Sequence, residues 1–251
     1  MFDDAGLLRY SRHILLDDIG IEGQERIALG KVLVIGAGGL GSPASLYLCA
    51  AGLGYLHLSD HDTVDLTNLQ RQVALASADV GQQKVLATQN RLQTLNPFTQ
   101  VIPYSFKADP AWLSERVPQM DVVLDCSDNF ATRHAVNEAC VAAKVPLVSG
   151  AAIRFEGQIS VFDSRFDDAP CYECLFPQSE QAEEVRCAEM GVFSPLTGII
   201  GAIQAAEALK LIAGIGESLR GRLQLLDART MRWHEIRVPK DTGCRVCGAS
   251  A

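Results

Sequence analysis

The residues of this chain best suited to chemistry fall into two groups. The first is a pair of Cys-x-x-Cys motifs, Cys171/Cys174 and Cys244/Cys247, the second beginning seventy residues after the first ends. Four thiolates are the donor set of a closed tetrahedral Zn2+ site, which has no open position and so holds structure together without turning over a substrate. One such motif alone would suit a redox centre equally well. Two, the second set in "GCRVCG" close to the end of the sequence, point to zinc clamping the tail to the body.

The second group starts with "VLVIGAGGLGS", Val32 to Ser42. Gly36, Gly38 and Gly41 have the spacing by which a strand passes into a helix whose backbone N–H groups hold a pyrophosphate, and Gly39 adds room for a phosphate to come close. Asp60, nineteen positions after Gly41, is placed to accept hydrogen bonds from ribose hydroxyls. To this point NAD and ATP fit equally. Further on, "TNLQRQ" supplies Asn68, Gln70 and Arg71, Lys84 follows, and "CSDN" puts Asp128 beyond the carboxyl end of a later strand. Arginine and lysine grip a triphosphate and a hard carboxylate holds Mg2+, a set that hydride transfer does not need. Taken singly, Arg71 and Lys84 also read as solvated helix charges and Asp128 as a helix cap. Taken together they favour ATP. The competing readings are a zinc-stabilised NAD-dependent oxidoreductase and a non-catalytic scaffold that has kept the nucleotide fold and binds a partner protein. Cys49, Cys126 and Cys140 lie in apolar contexts and read as core residues.

The elements that must position these groups alternate strand and helix. "KVLVIG", "YLHLSD", "MDVVLDCSDN" and "VPLVSG" are strands, and "VIPYSF" is an edge strand because of Pro103. Between them lie helices over "SPASLYLCAAG", Gly81–Asn96 and "FATRHAVNEACVAAK". After residue 150 the pattern turns antiparallel: "EGQISVFD", "GRLQLLDA" and "RWHEIRVP", with a long apolar helix starting at Ser194-Pro195. The expected fold class is α/β, a Rossmann-like mainly parallel sheet with an N-terminal helical appendage and C-terminal antiparallel strands. It is expected as one domain in three parts: helices over 1–29, broken by Gly20 and Gly23, a nucleotide-binding core over 30–150, and a region of antiparallel strands with the zinc pairs over 151–251. "PQSEQAEEVRCAEM" has no core face and is expected to be a mobile loop.

With 251 residues and 48% hydrophobic content the chain can bury a large core. Its formal charge of −8 argues against nucleic-acid binding and against binding to anionic membranes. The opening "MFDDAGLLRYSRHILLDD" has no basic, then apolar, leader pattern, so a cytoplasmic location is expected, where eight cysteines stay reduced. Gln204, Glu207 and Lys210 interrupt the most apolar run and mark it as a buried helix, not a membrane span.

The phrases "RYSRHILL", "VLVIGAGGLGSPASLYLCAAGLG", "DTVDLTNLQRQ", "GQQKV", "VLDCSDN", "VPLVSGAAIRFEGQISVF", "CYECL" and "GCRVCG" cover almost the whole chain in order. Together they resemble the bacterial sulfur-carrier adenylyltransferases of the ThiF/MoeB family, relatives of the ubiquitin-activating enzymes. The resemblance implies a homodimer that uses ATP and Mg2+ to adenylate the C-terminal carboxylate of a small ubiquitin-fold sulfur-carrier protein ending in Gly-Gly. It implies that Gly39 lies against the phosphates, Asp60 holds the ribose, Asn68, Arg71 and Lys84 hold the triphosphate, and Asp128 binds Mg2+. Arg12 matches an arginine given by the partner subunit, and nucleotide contacts extend to Asp62, Leu69, Gln70 and Asn129. Cys187, in "VRCAEMGV", matches a loop cysteine that forms a covalent link during sulfur transfer in some members. Arg186 beside it favours a thiolate, whereas Glu183, Glu184 and Glu189 oppose one. "RHI" and "CSDN" replace forms such as "RQI" and "CTDN" without touching an assigned role. No sulfurtransferase-like segment follows Cys247 as in longer relatives, so a separate sulfurtransferase or cysteine desulfurase is expected to deliver sulfur. "SGAAIRFEGQISVFD" favours the molybdopterin branch, with the thiamine-pathway carrier as the alternative.

Overall fold

In the computed structural model, which describes residues 2–178 and 190–248, the first strand, β1 (Lys31–Ile35), buries both of its faces. Val32 and Val34 join one hydrophobic cluster and Leu33 and Ile35 another. Successive side chains of a strand point to opposite sides, so a run apolar at every position belongs in a sheet covered on both faces. The chain starts with three helices, α1 (Asp4–Arg9), α2 (Ser11–Ile14) and α3 (Gly20–Leu29). Gly20 opens α3 with φ +56°, but Gly23 is buried inside that helix and is not the break its type suggested.

After β1 come α4 (Gly41–Ala50), β2 (Tyr55–Ser59), α5 (Lys84–Leu95), β3 (Gln100–Tyr104), α6 (Pro110–Arg116), β4 (Val122–Asp125), α7 (Phe130–Ala143) and β5 (Leu147–Ile153). Then follow β6 (Glu156–Phe162), α8 (Tyr172–Leu175), α9 (Ser194–Ala213), β7 (Arg222–Asp227) and β8 (Arg232–Arg237). The eight strands form one sheet in the order β3-β2-β1-β4-β5-β6-β7-β8. Neighbours from β3 to β5 are parallel, and those from β5 to β8 antiparallel. This is the expected mixed, mostly parallel sheet with antiparallel C-terminal strands, and Pro103 lies on an end strand as its missing N–H requires.

Leu48 of α4, Val85 and Leu92 of α5, and Leu196, Ile200 and Ala208 of α9 cover one face, while Leu113 of α6 and Val136 and Cys140 of α7 cover the other. Helix α9 is long and apolar enough to cross a membrane by length and composition. Here it packs on the sheet, and its buried Gln204 donates from Nε2 to the carbonyls of Asp125 (2.8 Å) and Val148 (3.2 Å). Helix α6 escaped the sequence reading, although Asp109 caps it through Trp112 N–H at 2.8 Å and Pro110 occupies its first turn. Helix α7 ends on Lys144 in the left-handed region (φ 53°), without the glycine that usually marks such an end.

The glycine loop is a matter of space. A Cβ on Gly36 (φ +98°) would lie 2.8 Å from the carbonyl oxygen of Cys126, and one on Gly41 would lie 1.8 Å from that of Gly36. Both neighbours are backbone and cannot turn aside. Gly41→Ala is therefore expected to lower stability by about 3 kcal/mol, or roughly 6–12 °C in thermal midpoint, as measured by thermal unfolding.

Candidate functional site

Strands β1, β2 and β4 run parallel, so the residues following them emerge at one edge of the sheet, where open α/β sheets bind ligands. A cavity of about 670 Å³ opens there. Gly36, Gly38 and Gly39 line it from the β1–α4 loop, and Asp60 and Asp62 from the end of β2. Asn68, Arg71 and Lys84 line it from the following segment, and Asp128 and Asn129 from the turn after β4. The structure thus brings together ten of the residues singled out from sequence. Gly41 packs against the loop from behind. Leu69 packs with Val64, Leu75 and Ala87, and Gln70 accepts a hydrogen bond on its carbonyl from Ser194 Oγ. Arg12 lies on α2, outside the lining of this cavity. Cys187 and most of the expected loop lie outside the described residues.

Several of these side chains are tied down locally. Both oxygens of Asp60 accept main-chain N–H bonds, from Ala37 and from Asp62, each at 2.8 Å. The carboxylate thereby joins the glycine loop to the end of β2, and its remaining lone pairs face the cavity side. Lys84 starts α5, is 5% exposed, and its Nζ lies 2.7 Å from Asp62 Oδ2. A buried ammonium needs such a counter-charge. Arg71 donates from Nη1 to the carbonyl of Thr67 at 3.1 Å, which leaves the rest of its fork available. Asn68 closes a short turn by accepting from Asp65 N–H at 3.3 Å, while Asp65 accepts from Thr67 N–H at 2.8 Å.

The helix-cap reading of Asp128 does not hold. Asn129 is the cap of α7, accepting from Thr132 N–H at 2.9 Å, and Asp128 stays exposed, its Oδ1 accepting from Asn129 Nδ2 at 3.4 Å. Behind it sits a buried carboxylate, Asp125, at 0% exposure. Its Oδ1 accepts from the N–H (3.0 Å) and hydroxyl (2.6 Å) of Ser127, and its Oδ2 from Ser149 Oγ (3.2 Å). Arg133 Nη1 lies 3.7 Å from it. Arg133, Gln72, Lys107 and Tyr172 also line the cavity and were missed. Gln72 adjoins Arg71 in the motif already quoted, so its position was a usable signal. Arg133 and Tyr172 gave none, because nothing in "ATRHA" or "CYEC" indicates that either residue lines the cavity.

The four motif cysteines converge as their spacing required. Sγ separations are 3.9 Å for Cys171–Cys174, 3.7 Å for Cys171–Cys244 and 3.4 Å for Cys174–Cys247, and all four atoms lie within 4.8 Å of one another. A tetrahedron of thiolates about 2.3 Å from zinc has edges of about 3.8 Å, so the cluster fits such an ion. The hydrogen bond from Cys171 holds the Cys174 thiol down to about 5. Glu173 and Arg245, one from each knuckle, meet at 2.7 Å, and Arg245 also reaches Glu138 of α7 at 3.3 Å. Burial pushes the Glu173 carboxyl up, but the Arg245 hydrogen bond and the Gln178 N–H outweigh it and the net direction is down. His134 Nδ1 lies 2.9 Å from Glu173, and burial lowers its pKa against the pull of that carboxylate. By contrast, Cys49, Cys126 and Cys140 are buried core thiols whose pKa burial raises.

The ThiF family profile matches residues 10–246. The chain is 46% identical over 245 residues to the molybdopterin-synthase adenylyltransferase of Escherichia coli (strain K12), covering 98% of each protein. It is 43% identical over 248 residues to the sulfur carrier protein ThiS adenylyltransferase of the same organism, covering 99% of this chain and 98% of that one. Among solved structures, E. coli MccB with AMPCPP and MccA superposes with a TM-score of 0.82 at 25% identity, over 96% of this chain and 74% of that chain. The matched span takes in the glycine loop, the residues that line the cavity and three of the four cluster cysteines, and on that ground the chain belongs to the ThiF family.

Proposed function

We propose that this chain uses ATP and Mg2+ to adenylate the C-terminal glycine carboxylate of a small ubiquitin-fold sulfur-carrier protein, releasing pyrophosphate. One observation carries the reading beyond family membership: Arg71, Lys84, Asp60 and Asp128 line a single cavity with the glycine loop. An NAD-dependent oxidoreductase would leave Arg71, Lys84 and Asp128 without work. The carrier of the molybdopterin pathway is the first reading and that of the thiamine pathway the second, in keeping with the 46% and 43% identities to the two E. coli adenylyltransferases.

The attacking carboxylate is already ionised at neutral pH, so no general base is needed. The barrier lies in bringing an anion to a polyanion and in the charge that develops on the departing pyrophosphate. Gly38 and Gly39 let the phosphates approach the backbone, Asp60 orients the ribose, and Asn68, Arg71 and Lys84 neutralise the triphosphate. Lys84 must exchange its bond to Asp62 for one to phosphate, and Asp62 holds it near the site until then. Asp128 would hold Mg2+, and the bound ion would supply positive charge against that developing on the leaving group. Arg12 would come from a second copy of the chain. Exposed Leu8 (77%), Leu15 (70%) and Ile21 (53%) of the N-terminal segment would offer apolar surface to that homodimer. The four cysteines would hold Zn2+, which when bound ties the C-terminal knuckle to the body. Cys187 is left for the later sulfur-transfer step, with sulfur delivered by a separate protein in the cytoplasm.

The test is carrier-dependent exchange of labelled pyrophosphate into ATP by the purified chain, with each candidate carrier in turn. No exchange and no acyl-adenylate with either carrier would overturn the reading. Asp128→Ala is expected to cut exchange by about a thousandfold with the circular dichroism spectrum and thermal midpoint unchanged. Cys171→Ala is expected to lose bound zinc, measured by elemental analysis, and to lower the thermal midpoint by roughly 10 °C.

A further inference from the structure

Among the polar side chains that line the cavity, one is sealed from water and lacks a partner for its oxygen. Gln72 is 2% exposed, and its Oε1 is buried with no hydrogen-bond partner among the described residues. The backbone of the same residue is fully used: its N–H donates to the Asn68 carbonyl at 3.0 Å, and its own carbonyl accepts from Leu75 N–H at 3.0 Å. The deficit is confined to the carboxamide. The other end of that group faces the glycine loop, because a Cβ on Gly38 would find Gln72 Nε2 at 3.7 Å and, its chain neighbours aside, no other described atom within 4 Å. Of the two glutamines in "TNLQRQ", Gln72 lines the cavity and Gln70 does not.

We propose that Gln72 is a further nucleotide-binding residue, whose Nε2 donates to a phosphate oxygen seated on the glycine loop. The inference rests on the ATP reading above and adds a neutral donor to its cations. A phosphate oxygen only accepts, so of the two ends of a carboxamide it selects the nitrogen. A hydrogen bond to a charged acceptor is also stronger than one between neutral groups. Sealing an amide oxygen away from every donor destabilises the free protein, and an apolar side chain of the same length would avoid that cost. Stability therefore does not favour glutamine at this position. Ligand binding does, and the burial that isolates the oxygen keeps the nitrogen beside the loop. Arg71, one residue earlier, and Lys84 supply charge; the amide supplies direction.

Gln72→Met in the full chain tests this, because it keeps the length of the side chain and removes both polar atoms. Its thermal midpoint is expected to rise by roughly 2–6 °C as the unpaired oxygen is lost. Its Kd for MgATP, read by isothermal titration calorimetry without carrier, should rise about tenfold, while the Kd for adenosine, read by displacement of MgATP, stays unchanged. Gln72→Glu keeps the shape but replaces the donor by an acceptor, and should weaken MgATP by at least the same factor. A residue needed only for packing would lower the midpoint and weaken both ligands together. An unchanged Kd for MgATP in Gln72→Met, an equal loss for adenosine, or a fall in the midpoint overturns the proposal. The titration needs no carrier, so a parent protein that binds MgATP but exchanges no pyrophosphate would defeat the adenylation reading alone. A parent that does not bind it would defeat both.

Discussion

A carboxyl group with no exposure to water stands at the end of β4, and the site is arranged around satisfying its oxygens. Asp125 costs several kcal/mol to bury alone. The partners that offset this are Ser127, Ser149 and Arg133, and each fixes a different part of the cavity. Ser127 folds the turn that presents Asp128, Ser149 ties that turn to β5, and Arg133 joins it to α7. Gln204 of α9 closes the same region by taking the Asp125 and Val148 carbonyls. Helices from both faces of the sheet thus meet at one strand end. The site's rigidity comes from satisfying one buried carboxyl group, not from the nucleotide-binding residues themselves.

Those nucleotide-facing groups are held in a different way. Asp60 uses main-chain donors and Lys84 a half-exposed carboxylate, so the cations stay close to the cavity while remaining free to change partners. A buried anchor with a more open rim suits a reaction whose main difficulty is the placement of charge. The cysteine knuckles extend the anchored part to the far side of α7 through Glu173, Arg245 and Glu138.

Much of this was legible in the sequence, for identifiable reasons. A strand buried on both faces is apolar on both, and Val32–Ile35 of β1 and the first three residues of β4 are. Tetrahedral coordination constrains spacing, and the two Cys-x-x-Cys pairs displayed it. The glycine loop was readable because crowding against backbone excludes every other residue at Gly41. What was not legible depended on tertiary contact. Arg133 looks like any arginine on a helix until the Ser127 and Gly150 carbonyls are seen beside it. Tyr172 looks like a spacer between ligands. Gly23 read as a breaker because its intrinsic preference was weighed without the packing that keeps α3 continuous, and α6 was overlooked although Asp109-Pro110 announced it.

The change of direction within the sheet bears on how the molecule avoids sticking to its own kind. An open sheet has two free margins, each a template for another chain. At one, β3 contains Pro103, which has no N–H to offer a newcomer. At the other, β8 alternates charge and bulk through Arg232, Glu235 and Arg237, so an added strand would have to match that order of signs. Fibrillar growth is thus discouraged by a missing donor at one border and by ionic mismatch at the other.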